Sequence, residues 1–245
     1  MNKIVIIGAT SAVATETARC FALEGAELFI AARSEDKLER LANDLRCRGA
    51  SVVHTGTFNA RDLASHDQLM ELAFHTLGEI DAALIAHGDL PNQSECQRSW
   101  LETEQALTTN FLSPVAFLTW LANYFETRGK GNITVISSVA GDRGRQSNYI
   151  YGSAKGALSV FLQGLRNRLA PRGVSVTTIK PGFIDTPMTA DIKKGPLFAS
   201  AELVGKRVHR AMRKGESVVY TPFFWRFIML IIVHIPECIF KKLKL

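Results

Sequence analysis

The chain has 245 residues, 47% of them apolar, which is enough to fill the core of one large globular domain. Its net charge of +6 sits at one end: residues 206–245 hold nine Lys/Arg and two Asp/Glu, which leaves −1 for the first 205. That basic excess accompanies a strongly apolar segment rather than a polar reading surface, which argues against nucleic acid as a partner.

Cys20, Cys47, Cys96 and Cys238 are widely spaced, with no CxxC pair and no metal-type Cys/His spacing, so they read as free thiols of a reducing compartment. The opening IVIIG is too short for a signal peptide and no run reaches eighteen apolar residues, so the expectation is a cytoplasmic protein.

From the N-terminus, the β-branched run Lys3 to Ile7 reads as a strand ending at Gly8, and apolar residues at helical spacing follow from Val13 to Leu23. Strand, glycine turn and helix form the first unit of a nucleotide-binding fold. Glu27 to Ala32 is a second strand, leading through Arg33 into a charged helix, Glu35 to Arg46. The alternation repeats, with strands near 51–56, 81–86, 132–138, 174–180 and 217–220, and helices near 62–77, 99–128, 148–170 and 202–214. About seven strands alternating with helices predict an α/β fold, a Rossmann-type doubly wound parallel sheet with helices on both faces. Residues 1–221 read as one domain, and 222–245 as an apolar and basic tail.

The first turn, Gly8 to Ala14, reads GATSAVA, where a dinucleotide fold usually places three glycines. Only the first is kept. Ala14 stands where the last serves helix packing and tolerates a methyl, whereas Ala12 alters the backbone's approach to a pyrophosphate. Thr10 and Ser11 add hydroxyls beside a helix N-terminus, whose free N–H groups favour phosphate oxygens. Alone, the loop is equally a plain strand-to-helix turn. Arg33 ends the second strand where an NAD site would carry Asp or Glu; a guanidinium there suits a 2′-phosphate, and the alternative is a solvated arginine.

The strand NITVISS ends at Ser138, thirteen residues before Tyr151, and strand carboxyl ends are where open α/β sheets bind ligands. Asn110 falls inside a long helical stretch, where asparagine needs a reason or a solvent-facing position. Tyr151 and Lys155 stand four residues apart in NYIYGSAKGA, on one helix face. A cation lowers a neighbouring phenol's pKa, so the pair reads either as a proton donor poised near neutral pH or as an ordinary helix carrying one Tyr and one Lys.

Together these residues resemble the short-chain dehydrogenase/reductase family. Asn110, Ser138, Tyr151 and Lys155 have the order and spacing of its catalytic tetrad, KPGFIDTPM (180–188) is similar to its loop over the nicotinamide, and the likeness covers residues 3–220. The resemblance implies an NAD(P)-dependent oxidoreductase acting on CH–OH and C=O groups, with Arg33 favouring NADP(H). Tyr151 would donate a proton to the carbonyl oxygen and Ser138 would hold that oxygen. Lys155 would lower the tyrosine pKa and bind the nicotinamide ribose, while Asn110 anchors a water feeding protons toward it. The implied cofactor contacts are Gly8, Thr10, Ser11, Val13, Arg33, Ala86, Gly88, Tyr151, Lys155, Pro181, Gly182, Ile184 and Thr186. Two departures bear on those contacts: Ile85, Ala86, His87 and Gly88 stand where Asn-Asn-Ala-Gly is frequent, and Thr57 where an Asp near the adenine is frequent. His87 either approaches the nicotinamide ribose or packs as a hydrogen-bonded histidine, the reading its setting favours. The family also implies a homodimer or homotetramer formed through long helices.

Outside the common pattern, Arg143 and Arg145 are expected near the mouth of the site, and Lys193 and Lys194 where the family carries a mobile lid over 188–199. Each could meet an anionic substrate or be solvated charge. The segment from Tyr220 packs Phe223, Phe224, Trp225 and Phe227 ahead of an apolar run to Ile235, breaks at Pro236 and ends with Lys241, Lys242 and Lys244. It is expected to lie in the headgroup region of an anionic membrane; the alternative is a helix buried in the core or in a dimer interface. The stretch ISSVAGDRGRQSNYIYG and this tail are similar to the reductase partners of bacterial decaprenylphosphoryl-ribose 2-epimerases. That likeness implies reduction of a keto group on a polyprenyl-phosphate-linked sugar, an FAD oxidase partner, and a place on the inner face of the cytoplasmic membrane. The alternatives are a ketoreductase of a 3-oxoacyl, steroid-like or other hydrophobic carbonyl compound, and a protein that binds NADP without catalysis.

Overall fold

The computed structural model describes residues 1–190 and 193–243. In chain order the first half holds β1 (Lys3–Ile7), α1 (Ala12–Leu23), β2 (Glu27–Ala32), α2 (Glu35–Cys47), β3 (Val52–Thr57), α3 (His66–Leu77) and β4 (Ala82–Ile85). Then come α4 (Gln93–Cys96), α5 (Trp100–Leu107), α6 (Ser113–Arg128), β5 (Gly131–Ile136), α7 (Tyr149–Leu169) and β6 (Val174–Pro181). The remainder is β7 (Ile184–Asp185), β8 (Ala199–Ser200), α8 (Ala201–Lys214), β9 (Val218–Thr221), α9 (Trp225–His234) and α10 (Glu237–Phe240). The main sheet has seven strands in the order β3-β2-β1-β4-β5-β6-β9, every neighbouring pair parallel, as the sequence pattern predicts.

Period-2 alternation sorts each buried strand between two cores. Ile4 and Ile6 of β1 point into a core with Phe21 of α1, Leu38 of α2 and Val208 of α8. Val5 and Ile7 point into the opposite core with Met70 of α3, Phe117 of α6 and Leu162 of α7. Serine side chains at Ser11, Ser34, Ser99 and Ser200 accept backbone N–H groups at the starts of α1, α2, α5 and α8.

The helix expected over 99–128 is broken: α5 and α6 flank a π-helical turn, Thr108–Leu112, with Asn110 inside it. Pro114 has no N–H to give to the Asn110 carbonyl, its partner in a continuous α-helix, so the α-helical register fails there.

One face of the tail is packed and the other is exposed. Trp225 and Met229 of α9 are buried with Val139, and the Trp225 indole meets the Phe183 ring edge-on at 5.3 Å. A Cβ at residue 182 would collide with that indole, so Gly182 is what lets the helix close down on the sheet. Arg143 corrects its sequence reading. Its guanidinium donates to the main-chain oxygens of Ile232 (2.7 Å), Val233 (3.1 Å) and Ile235 (2.6 Å), pairs with Glu237 (3.0 Å), and lies 3.7 Å over the Phe240 ring. It therefore caps the C-terminal carbonyls of α9 and is not free to meet a substrate. The opposite face of α9 leaves Phe227 58% and Ile231 68% exposed, beside Phe223 at 75%. No described helix is long and apolar enough to cross a membrane. Lys244, and residues 191 and 192 of the expected lid, lie outside the described residues.

Candidate active site

The strand order reverses between β1 and β4, and a cleft of about 510 Å³ opens at the carboxyl ends of the strands there. All the residues named above as catalytic or cofactor-binding line it. Gly8, Thr10, Ser11 and Val13 follow β1, Arg33 follows β2, Ala86 and Gly88 follow β4, and Ser138 follows β5. Tyr151 and Lys155 come from α7, Asn110 from the π turn, and Pro181, Gly182, Ile184 and Thr186 from the end of β6 and the segment beyond.

The turn after β1 fits a pyrophosphate. Gly8 takes φ +82°, and a Cβ on it would stand 2.5 Å from the His87 nitrogen, so the two strand ends meet backbone to backbone. Ser11 caps α1, and the first N–H groups of that helix lack intrahelical partners at Ala12 and Val13, both on the cleft wall. At the cleft's outer end Lys37 and Arg61 join Arg33, and among the described residues none of the three has an acidic partner. Thr57 is exposed and off the cleft, which Asn59 lines instead. Sequence reasoning passed over Lys37, Asn59 and Arg61.

The two serines at the end of β5 have different fates. Ser137 is buried and its hydroxyl is used by Ser159 (2.8 Å) and the Lys155 carbonyl (3.1 Å), binding α7 to the strand end. The Ser138 oxygen accepts the Ala140 N–H at 3.1 Å, which leaves its own proton to serve the Tyr151 oxygen or a ligand in the cleft. Lys155 is buried, with its ammonium 3.2 Å from the Ile136 carbonyl and 5.7 Å from the centre of the Tyr151 ring. Burial lowers Lys155 to about 8, with Asp89 pulling the other way. Burial raises Tyr151 to about 12, against the Ser138 hydrogen bond and with a further push from Asp89. This differs from the phenol poised near neutral pH expected above, because the burial that penalises the phenolate outweighs the Ser138 hydrogen bond that favours it.

Asp89, also passed over in the sequence, organises Asn110. The Asn110 amide donates to Asp89 Oδ1 (2.6 Å) and to the Ala106 carbonyl (3.0 Å), while its oxygen accepts the Asp89 N–H (3.2 Å). Both amide protons are committed, and one lone pair on the oxygen remains. His87 is hydrogen-bonded: the Ser113 hydroxyl lies between His87 Nε2 (2.9 Å) and His66 Nε2 (2.7 Å), donating to one ring and accepting from the other. Phe58 and Phe117 wall this chain. Burial, then the charges of Lys155 and His66, push His87 down to about 3.

A dinucleotide-shaped turn at the switch point, joined to a serine at a strand end and to a tyrosine and lysine on α7, defines an NAD(P)-dependent oxidoreductase. The chain belongs to the short-chain dehydrogenase family: a family model described as short chain dehydrogenase matches residues 2–196. An uncharacterized oxidoreductase of Mycobacterium tuberculosis is 35% identical over 240 residues, covering 98% of this chain and 96% of its own. One from Streptomyces coelicolor is 31% identical over 245 residues, covering 99% and 96%. The crystal structure of levodione reductase superposes with a TM-score of 0.82 at 19% identity, covering 91% of this chain and 96% of its own, and so shares the fold.

A histidine titrating near 6.5 when unfolded and about 3 when folded binds fewer protons in the native state between those values. Stability from the neutral His87 ring is therefore full above about pH 6.5 and is lost as the pH falls toward 3. Urea midpoints measured at stepped pH are expected to fall across this window, and His87→Asn to flatten the fall; a variant with the wild-type slope would refute this.

Proposed function

We propose that the protein is an NADPH-dependent reductase of a ketone. The observation that carries this reading is the convergence of Ser138, Tyr151, Lys155 and Asn110 on one cleft whose other end fits a dinucleotide. Bound NADPH would supply hydride to the carbonyl carbon. Tyr151, still protonated at any physiological pH, gives its proton to the carbonyl oxygen as negative charge builds there. Ser138 donates its free hydroxyl proton to the same oxygen and stabilises that charge. Lys155 keeps donors beyond the one held by Ile136 and stabilises the phenolate that the transfer leaves behind. Asn110 can anchor a replenishing water through the spare lone pair of its side-chain oxygen, or through the carbonyl that Pro114 cannot serve.

Tyr151→Phe is expected to retain NADPH binding and lose turnover with a ketone panel; a rate above about a tenth of wild type would count against the assignment. In wild type, kcat/KM for reduction should decline as the pH rises through about 8, where Lys155 loses its proton, with no contribution from Tyr151 until near 12. A flat profile to pH 10 would contradict that role for Lys155.

NADPH is preferred over NADH in this reading because Arg33, Lys37 and Arg61 face the adenine end of the cleft without acidic partners among the described residues. Fluorescence titration of Arg33→Asp should show NADPH affinity falling at least about tenfold relative to NADH. An unchanged ratio would remove Arg33 from cofactor selection.

For the substrate we favour a hydrophobic ketone met at a membrane surface, specifically a keto group on a polyprenyl-phosphate-linked sugar produced by an FAD oxidase. The support is α9, whose exposed Phe227, Leu230 and Ile231 lie next to Arg226 and are followed by Lys241 and Lys242, while its buried face packs on the active-site loops. Flotation with vesicles rich in anionic phospholipid at low salt should carry the wild-type chain. Combining Phe227→Glu with Ile231→Glu should leave it behind, and wild-type protein remaining in the soluble fraction would sink the membrane reading.

A further inference from the structure

Among the described arginines of the cleft wall, Arg145 has a side-chain nitrogen that is both buried and unbonded. Arg145 lies in the segment between β5 and α7 and lines the cleft with Asn148 and Tyr151. Its Nε is buried with nothing to bond, and no described carboxylate pairs with it. The acid in the same loop, Asp142, already gives one oxygen to Lys180 (2.5 Å) and the other to the Tyr220 hydroxyl (2.8 Å). Of the other cations placed near this mouth, Arg143 holds α9, Lys194 pairs with Asp185 at 2.7 Å, and Lys193 is exposed and off the cleft lining. Beside Arg145, the Oδ1 of Asn148 is also buried without a partner, and its side chain makes no capping bond to α7.

Burial pushes the Arg145 guanidinium below its ordinary range, with Asp142 only partly opposing, as happens to a charge lacking compensation. Half-buried polar groups that the fold leaves unpaired are costly, and a ligand that completes them removes that cost. The cofactor's extra phosphate is not a candidate ligand. Arg33 follows β2 and Arg145 follows β5, three strand positions apart in the sheet, or roughly 14 Å.

We propose that Arg145, with Asn148 beside it, is the receptor for an oxyanion, carboxylate or phosphate, carried by the ketone substrate, and so selects anionic carbonyl compounds. The proposal rests on the reductase reading for the word substrate, though not for the binding itself. A planar fork of donors suits either oxyanion, each accepting two parallel hydrogen bonds. The neighbouring amide can complete the contact with a donor of its own once it turns toward the ligand.

The test is calorimetric titration of the full chain, saturated with NADP⁺, using hexanoate, hexyl phosphate and neutral hexanol as probes. At least one anion is expected to bind about tenfold or more tightly than hexanol, and the arm that does so distinguishes carboxylate from phosphate. Arg145→Gln should abolish the preference and Arg145→Lys retain part of it, with circular dichroism confirming that both variants fold. Anions binding no better than hexanol, or a preference that survives Arg145→Gln, overturns the proposal. Failure of NADP⁺ to bind would sink the reductase reading separately, and the same titration on the unliganded chain would still decide the role of Arg145.

Discussion

A lysine ammonium held out of water is the constraint around which the cleft is packed. Lys155 is 3% exposed, and Ile136 offers it one carbonyl at 3.2 Å. Its displacement from 10.5 to about 8 corresponds to roughly 3 kcal/mol against the charged form. Such a group stays buried only if its helix cannot move away, and α7 is pinned at close range. A Cβ on Gly141 would stand 2.6 Å from the Gly156 nitrogen, and Ser137 hydrogen-bonds the Lys155 carbonyl from the end of β5. Burial likewise raises Tyr151 to about 12. Burial therefore makes the lysine ammonium a stronger acid and the tyrosine phenol a weaker one, so the tyrosine keeps its proton where the lysine begins to lose its own.

What the sequence shows and what it hides divide along physical lines. Continuous β-branched runs such as IVII suit strands buried on both faces, so the sheet was legible, as was the meeting of Asn110, Ser138, Tyr151 and Lys155 at one cleft, since these residues sit at fixed offsets within or just after regular elements. The break at Asn110 was hidden although its cause, Pro114, was in plain view, because a proline in the first turn of α6 also suits an ordinary helix start. Lys37, Asn59 and Arg61 were hidden for another reason: nothing local says which exposed polar residues converge from separate strand ends. The direction of the Tyr151 shift was misread because a neighbour four residues away is visible in a sequence while the depth of burial is not.

Arg143 and Arg145 show the same limit most sharply. They are two residues apart in one loop, with identical chemistry and no distinguishing context. Their separate fates are decided by α9, some ninety residues later, whose carbonyl end arrives where Arg143 can reach it and Arg145 cannot. Once Arg143 is taken, the remaining guanidinium of this loop acquires its meaning by subtraction, as a partly buried cation with no acidic partner among the described residues.

The placement of α9 also ties the roof of the cleft into one mechanical unit. Trp225 contacts both Val139, which follows Ser138, and Gly182, within the segment expected over the nicotinamide. Asp142 joins the loop after β5 to Lys180 on β6 and to Tyr220 on β9, while Arg143 holds the far end of α9 to that same loop. Displacing α9 therefore strains the Ser138 loop and the Gly182 turn together, through direct contacts rather than a distant pathway. The outer face of this helix is apolar and exposed, so whatever covers it, a lipid surface in the reading favoured above, acts on an element already in contact with the loops that carry Ser138 and Arg145. Binding at that face and the position of the Ser138 hydroxyl are thus linked by packing alone.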